Sequence, residues 1–294
     1  MPGLMYYLGC PVWACEKWQG GLFTRHARRD DWLRQYAQVF NTVEGNSTFY
    51  GLPSRDTVQR WAEAVGTGFR FVLKFPRAIS HEKRLLLSDV ETEAFLEVLE
   101  VLRGAGCLGP SFLQLPSGFS AHHLDDLQKY LGRLPSEYPY AVEVRNADFF
   151  AGGQAEQSLN RLLAELGIDR VILDSRPLFS APPETECETA TQGRKPRVPV
   201  HTTLTGTRPI LRLIGRDDVR RVRPWIVEWS RTVAKWLHAG LQPFVFTHTP
   251  DERYAPQLAR DFHGELSRHT ERVGEMPAWP GERESHSAQQ LRLF

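Results

Sequence analysis

Four cysteines and three methionines in 294 residues, and no apolar run near the roughly 18 residues that would span a bilayer, set the first limits. Cys10 and Cys15 lie close together, whereas Cys107 and Cys187 stand alone, and the spacing matches no common zinc signature. The opening MPGLMYYLGCPVW lacks a basic leader followed by an apolar stretch, so no signal peptide is expected. That places the chain in the cytoplasm with reduced thiols and no membrane association. A glycine-rich phosphate loop of either common spacing is missing, which argues against a nucleotide cofactor. A Gly-x-Ser-x-Gly elbow is missing too. The net charge is only +1, so a broad non-specific nucleic-acid footprint is not expected, and any anion site must come from a local cluster.

What is present alternates regularly. Short apolar runs at Met5–Gly9, Val39–Glu44, Phe69–Lys74, Ser111–Leu115, Tyr140–Arg145, Arg170–Asp174, Ile210–Ile214 and Pro243–His248 read as strands. Between them, amphipathic stripes predict helices at Asp31–Gln38, Ser54–Val65, Asp89–Arg103, Leu124–Leu134, Ala155–Leu166, Pro224–Ala239 and Pro256–Arg272. Ser88-x-x-Glu91 has the form of a capping box opening the third of these. Strands alternating with helices imply parallel βαβ units. Eight of them in this length predict an α/β single domain, a TIM-barrel-like (β/α)8 fold over residues 1–273, followed by a flexible tail at 274–294. After the sixth strand, residues 176–208 hold several prolines, among them those at 177, 182, 183 and 196, and no convincing helix, and are expected to loop over the barrel mouth.

In such a barrel the strand C-termini gather the site. The polar residues expected there are Glu44 and Asn46 in VEGNSTFY, Lys74, Gln114, Glu143 with Arg145, Asp174 with Arg176, Arg212 and His248, with His81 in the loop after the third strand. Mixed acids and bases with surplus cations suit a small anionic ligand, phosphorylated or nucleic-acid-related. Glu44 or Glu143 would act as general acid or base, and His248 would transfer a proton. Lys74, Arg145 and Arg212 would hold the anion, while Asp174 would orient an arginine. The competing expectation is a structural ion-pair network. Phe49, Tyr50 and Trp61 are expected to pack in the core, Cys10 and Cys15 to be buried, His122 and His123 to be solvent-exposed, and Arg216–Arg223 to be a solvated helix start. A divalent metal would need more His and carboxylates at neighbouring strand ends than His81 and His248 provide.

The segments GCPVWACEKWQG, FNTVEGNSTFYGLP, FRFVLKFPRAISH, FLQLP, AVEVRN, LDSRP and FTHTPDERYAP, in that order, resemble the domain of unknown function 72 family of YecE-like proteins. The resemblance implies a TIM-barrel-like fold with a polar pocket at Glu44, Asn46, Lys74, His81, Gln114, Glu143, Arg145 and Asp174. It implies no established reaction. Two positions depart from the commoner family pattern: Asn146 where histidine is frequent, and THTPD at 247–251 in place of an Asn-rich segment.

The last five residues, QLRLF, resemble the motif by which polymerases and repair proteins dock on the bacterial sliding clamp. Gln290, Leu291, Leu293 and Phe294 would be the contacts, presented on a loose tether. The alternative to an enzyme is therefore a non-catalytic accessory module riding on that clamp.

Overall fold

The computed structural model describes residues 6–150 and 152–290, with side chains to 285. The strands are β1 (Tyr7–Gly9), β2 (Thr42–Gly45), β3 (Arg70–Leu73), β4 (Ser111–Gln114), β5 (Tyr140–Glu143), β6 (Asp169–Arg170), β7 (Ile172–Asp174), β8 (Ile210–Ile214) and β9 (Phe244–His248). The helices are α1 (Arg29–Tyr36), α2 (Arg55–Ala64), α3 (Asp89–Gly104), α4 (Leu124–Leu131), α5 (Gln154–Glu165), α6 (Glu186–Arg194), α7 (Arg223–His238), α8 (Ala255–Leu266) and α9 (Pro280–Gln290).

Every strand pair is parallel, as the alternation of elements requires, and the pairing divides into three sheets: β1-β9-β8-β7, β2-β3 and β4-β5-β6. Single contacts run between them. Phe71 and Lys74 bridge to Leu108 and Phe112, and Glu44 N donates to Cys10 O at 3.1 Å. The sixth expected strand is split at Val171, so that β6 follows β5 and β7 follows β8; the Val171 amide donates to Val142 O at 2.9 Å. Val72, Phe112, Ala141, Val171, Ile210, Phe244 and Phe246 form a small apolar cluster with strands of all three sheets in it. The larger core lies between strands and helices, where α7 buries Trp229, Val233 and Leu237 and α8 buries Leu258, Phe262 and Leu266.

Three local expectations need correction. The capping box at Ser88 is not made. Glu91 pairs with Lys83 at 2.8 Å instead, and the Ser88 hydroxyl, fully buried, has no partner among the described residues. Between them Arg84, Leu85 and Leu87 adopt positive φ (49°, 70° and 48°), and Leu87 is 87% exposed. Residues 176–208 do contain a helix, α6. Its sequence ECETATQGR carries no apolar stripe; Thr185 caps it by accepting from Glu188 N at 3.0 Å, and Glu188 pairs with Arg216 at 2.6 Å with both side chains buried. Arg216 is thus no solvated helix start. Stripping the charge from Glu188 strands a buried guanidinium, so Glu188→Gln should release α6. Trypsin should then cut within residues 182–197 at least tenfold faster, read by limited proteolysis with mass spectrometry. An unchanged digestion pattern would show that α6 is held by something else.

The tail from 274 is not loose through its described side chains. Trp279 is buried, Arg260 lies 3.5 Å over its ring and pairs with Glu282 at 2.8 Å, and Arg25 N donates to Glu284 at 2.8 Å. At Gly281 a Cβ would come within 2.5 Å of the Phe23 and Gly21 carbonyls, so only glycine permits this approach. Gln290 ends α9, and Leu291, Leu293 and Phe294 lie outside the described residues. Among the described residues no helix is long and apolar enough to cross a membrane.

Candidate functional site

VEGNSTFY leaves β2 and turns at once into a short 3-10 segment, Ser47–Phe49. Thr48 Oγ1 donates to Lys74 O at 2.7 Å, fastening this turn to the end of β3. Asn46 Nδ2 donates to Glu44 Oε1 at 2.7 Å. Neither group is idle polarity: both serve to hold Glu44 and Lys74 in place.

Glu44 sits at the centre of a buried network. Arg212 donates from Nε to Oε2 at 2.7 Å and from Nη2 to Oε1 at 2.8 Å, a two-pronged contact. The same guanidinium donates from Nη1 to Glu143 Oε2. Glu143 also accepts from Arg145 Nε and Gln114 Nε2, both at 2.8 Å, and Gln114 Oε1 accepts from Lys74 Nζ at 2.8 Å. Gln114 and Glu143 are register partners of β4 and β5, so their side chains leave the sheet on one side. Burial works to raise the pKa of Glu143, but Arg212 and Arg145 prevail and hold it at about 2. At Glu44, likewise against burial, Arg212 and His248 hold the carboxyl well below the usual range. Burial opposes the charge on Arg212, and its two carboxylates more than offset this. With Nε, Nη1 and Nη2 all engaged, Arg212 is the structural hub of this network, and Nη1 and Nη2 each keep one further N–H on the pocket-lining guanidinium.

His248 Nε2 lies 3.2 Å from Glu44 Oε2. An ionised carboxylate can only accept, so Nε2 carries the hydrogen and Nδ1 keeps its lone pair. Burial lowers the His248 pKa to about 4 despite the attraction of Glu44. Lys74 is 8% exposed and forms no ion pair among the described residues; its Nζ lies 3.6 Å from the centre of the Phe49 ring. Burial first, then the nearby Arg212, brings its pKa down to about 7. His81 meets the same ring edge-on at 5.1 Å and is depressed to about 4, by burial and then by Lys74.

These residues line one pocket of about 490 Å³. Asn46, Lys74, His81, Gln114, Arg145, Arg212 and His248 face it, and Glu44 and Glu143 stand behind it, hydrogen-bonded to lining residues. Asp174 and Arg176 are not in this group. Asp174 is the register partner of Leu213, one position beyond the Leu173–Arg212 pair, so alternation turns it to the helix side. There it accepts from Trp229 Nε1 at 2.7 Å and from Arg176, which also pairs with Glu228. Phe49 lines the pocket and Tyr50 at its rim is 81% exposed, so neither is a core residue; Trp61 does pack with Trp13 and Phe71.

The pocket also contains groups that strand-end reasoning misses. From α6 come Thr191 and Arg194, with Lys195 at its C-cap, and from the segment after β9 comes Glu252. Glu252 Oε2 is sealed from solvent without a hydrogen-bond partner among the described residues, and burial raises this carboxyl to about 8 even though Lys195 pulls it down. Lys195 is lowered to about 8 by burial and Arg212. The only sequence signal for Glu252 was its place four residues beyond a strand end; α6 gave none. Among the described residues no three His, Cys, Asp or Glu side chains gather as a metal set.

The family described as "Protein of unknown function DUF72" matches residues 7–284. The UPF0759 proteins YecE of Escherichia coli strains K12 and O157:H7 are each 41% identical over 276 residues, covering 94% of this chain and 98% of theirs. Among solved structures, a DUF72 family protein from Enterococcus faecalis V583 superposes with a TM-score of 0.66 at 18% identity, covering 89% of this chain and 95% of its own. Another, from Thermotoga maritima MSB8, gives 0.65 at 20% identity, with 90% and 99% covered.

Proposed function

Since the chain belongs to the DUF72 family, whose description names no reaction, we propose from the site alone that the pocket binds a small anionic substrate, phosphorylated or nucleic-acid-related, and performs acid–base chemistry on it without a nucleotide cofactor. In the same reading the three sheets are arcs of one (β/α)8 barrel. The apolar cluster drawn from all three supports this, since it would fill the interior beneath Arg212, whose guanidinium lies 5.1 Å from the Phe112 ring.

The observation that carries the anion reading is charge. Lys74, Arg77, Arg145, Arg194, Lys195 and Arg212 line the pocket, against Glu252 on the wall and Glu44 and Glu143 behind it, a formal 6 − 3 = +3. Arg145 gives only Nε to Glu143, which leaves its Nη groups for an incoming anion. Glu252, protonated near neutral pH, can donate a proton, and the free Nδ1 of His248 can accept one.

Inorganic phosphate or glycerol 3-phosphate should therefore bind the full chain by calorimetry, more weakly as salt rises. Arg145→Met and Lys74→Met should each weaken binding about tenfold, a loss of about 1.4 kcal/mol. If both ligands fail to bind, or both variants bind as the parent does, the pocket is not an anion site.

A further inference from the structure

The pocket cations are not alike. Arg212 is paired with two carboxylates, Arg145 leans on Glu143, and Arg77 meets Glu82 at 3.4 Å. Among the described residues Lys74 pairs with no acid. Its Nζ donates to the amide oxygen of Gln114, and the other end of that amide is what reaches Glu143. Gln114 thus stands as a spacer between the amine and the nearest carboxylate. The face of Phe49 covers Nζ from another side and accepts an N–H in either protonation state. The Lys74 backbone is fastened at the end of β3, where its carbonyl accepts from Thr48 Oγ1, at the wall of a pocket with room for a small molecule.

Buried lysines of this kind, desolvated and crowded by other cations, are the ones that serve as amine nucleophiles. We propose that Lys74 is a covalent site, whose amine condenses with the carbonyl carbon of a small carboxylated or phosphorylated aldehyde or ketone to form an imine. The proposal rests on the anion reading, because the arginines beside Lys74 would hold the acidic group of the same molecule. Written from the ammonium form, the step balances. The C=O bond breaks and a C=N bond forms; the carbonyl oxygen leaves as water with two of the nitrogen's protons, and the third remains on a cationic imine. The groups acting on Lys74 are Arg212 from β8, Glu143 with Arg145 at the end of β5, Glu44 from β2 and His81 from the loop after β3. Together with burial they lower the Lys74 pKa to about 7, so a sizeable fraction is free amine at neutral pH.

The test is reductive trapping. The full chain is incubated at pH 7 with glyoxylate, or with pyridoxal 5′-phosphate, and sodium cyanoborohydride, and the adduct on each lysine is quantified by peptide mass spectrometry. Lys74 should be modified at least tenfold faster than the exposed Lys129 and Lys235, with a rate that levels off above about pH 7. Lys74→Arg, which retains the charge, should abolish this adduct while leaving the circular dichroism spectrum unchanged. Inorganic phosphate should slow Lys74 and spare Lys129. A Lys74 no faster than Lys129 with both carbonyl probes overturns the proposal, as does selective labelling of Lys195 with Lys74 silent. If Lys74 reacts selectively but phosphate neither binds nor competes, the imine stands and the anion reading falls. If phosphate binds and Lys74 is inert, the reverse holds.

Discussion

Arg212→Met is expected to destabilise the protein by about 3–5 kcal/mol, the largest effect of any single change at the site. Arg212 is 2% exposed, and Glu44 and Glu143, both fully buried, rely on it for three hydrogen bonds. Taking the guanidinium away leaves two carboxylates out of water with the less closely engaged Arg145, Lys74, Lys195 and His248 nearby, so at least one must take up a proton. The triple variant Arg212→Met, Glu44→Gln, Glu143→Gln removes the charges together and should recover much of the loss. Removing one partner of a buried pair is far worse than removing both. Urea unfolding monitored by tryptophan fluorescence would measure both. A single variant within 1 kcal/mol of the parent would mean that Arg212 is not the hub described.

The second large effect is on acid stability. His248 and His201 are buried and held at about 4, both chiefly by burial, whereas an unfolded histidine titrates near 6.5. In that interval the unfolded chain binds protons that the folded chain refuses, so these residues lower stability as the pH falls from about 6.5 to about 4. Each can account for at most about 3 kcal/mol. Glu252 at about 8 and Asp169 at about 6, both raised chiefly by burial, act in the opposite sense. Their stabilisation is complete below the normal carboxyl range and fades as the pH rises through those values. Below pH 4 the depressed Glu143 and Glu44 take over, and stability drains further as they protonate. The difference between parent and His248→Gln isolates one term. Between pH 6.5 and 4 the variant's unfolding free energy should fall less steeply, by about 1.4 kcal/mol per pH unit. Identical slopes would put the proton on His248 in the folded state and remove its free lone pair.

Hydrophobic period and polar strand ends made most of this architecture readable. The parallel strands fall within two or three residues of their expected limits, because apolar runs bounded by glycine and proline leave little choice of register. Glu44, Lys74, Gln114, Glu143 and His248 meet because each lies at a strand end, and Arg212 reaches them from the middle of β8. Asp174 shows where that reasoning stops: the split of the sixth strand at Val171 and the register of β7 on β8 turn it to Trp229, and no local pattern reports a one-residue offset. The helix α6 was invisible for another reason. Its stability comes from Thr185 and the distant Arg216, not from an apolar stripe, so Lys195 went unseen with it. Docking of Trp279 under Arg260 was equally hidden in a polar stretch.

The left-handed backbone at Arg84, Leu85 and Leu87 has a dynamic consequence. Each such residue costs roughly 1–2 kcal/mol relative to the right-handed form, and the segment also leaves Ser88 unsatisfied. Strain of this size lowers the work of opening this loop below that of its surroundings, so its amides should exchange with deuterium well before those of β3. His81 and Lys74 share the Phe49 ring, yet one sits in the turn leading into this strained loop and the other at the end of β3.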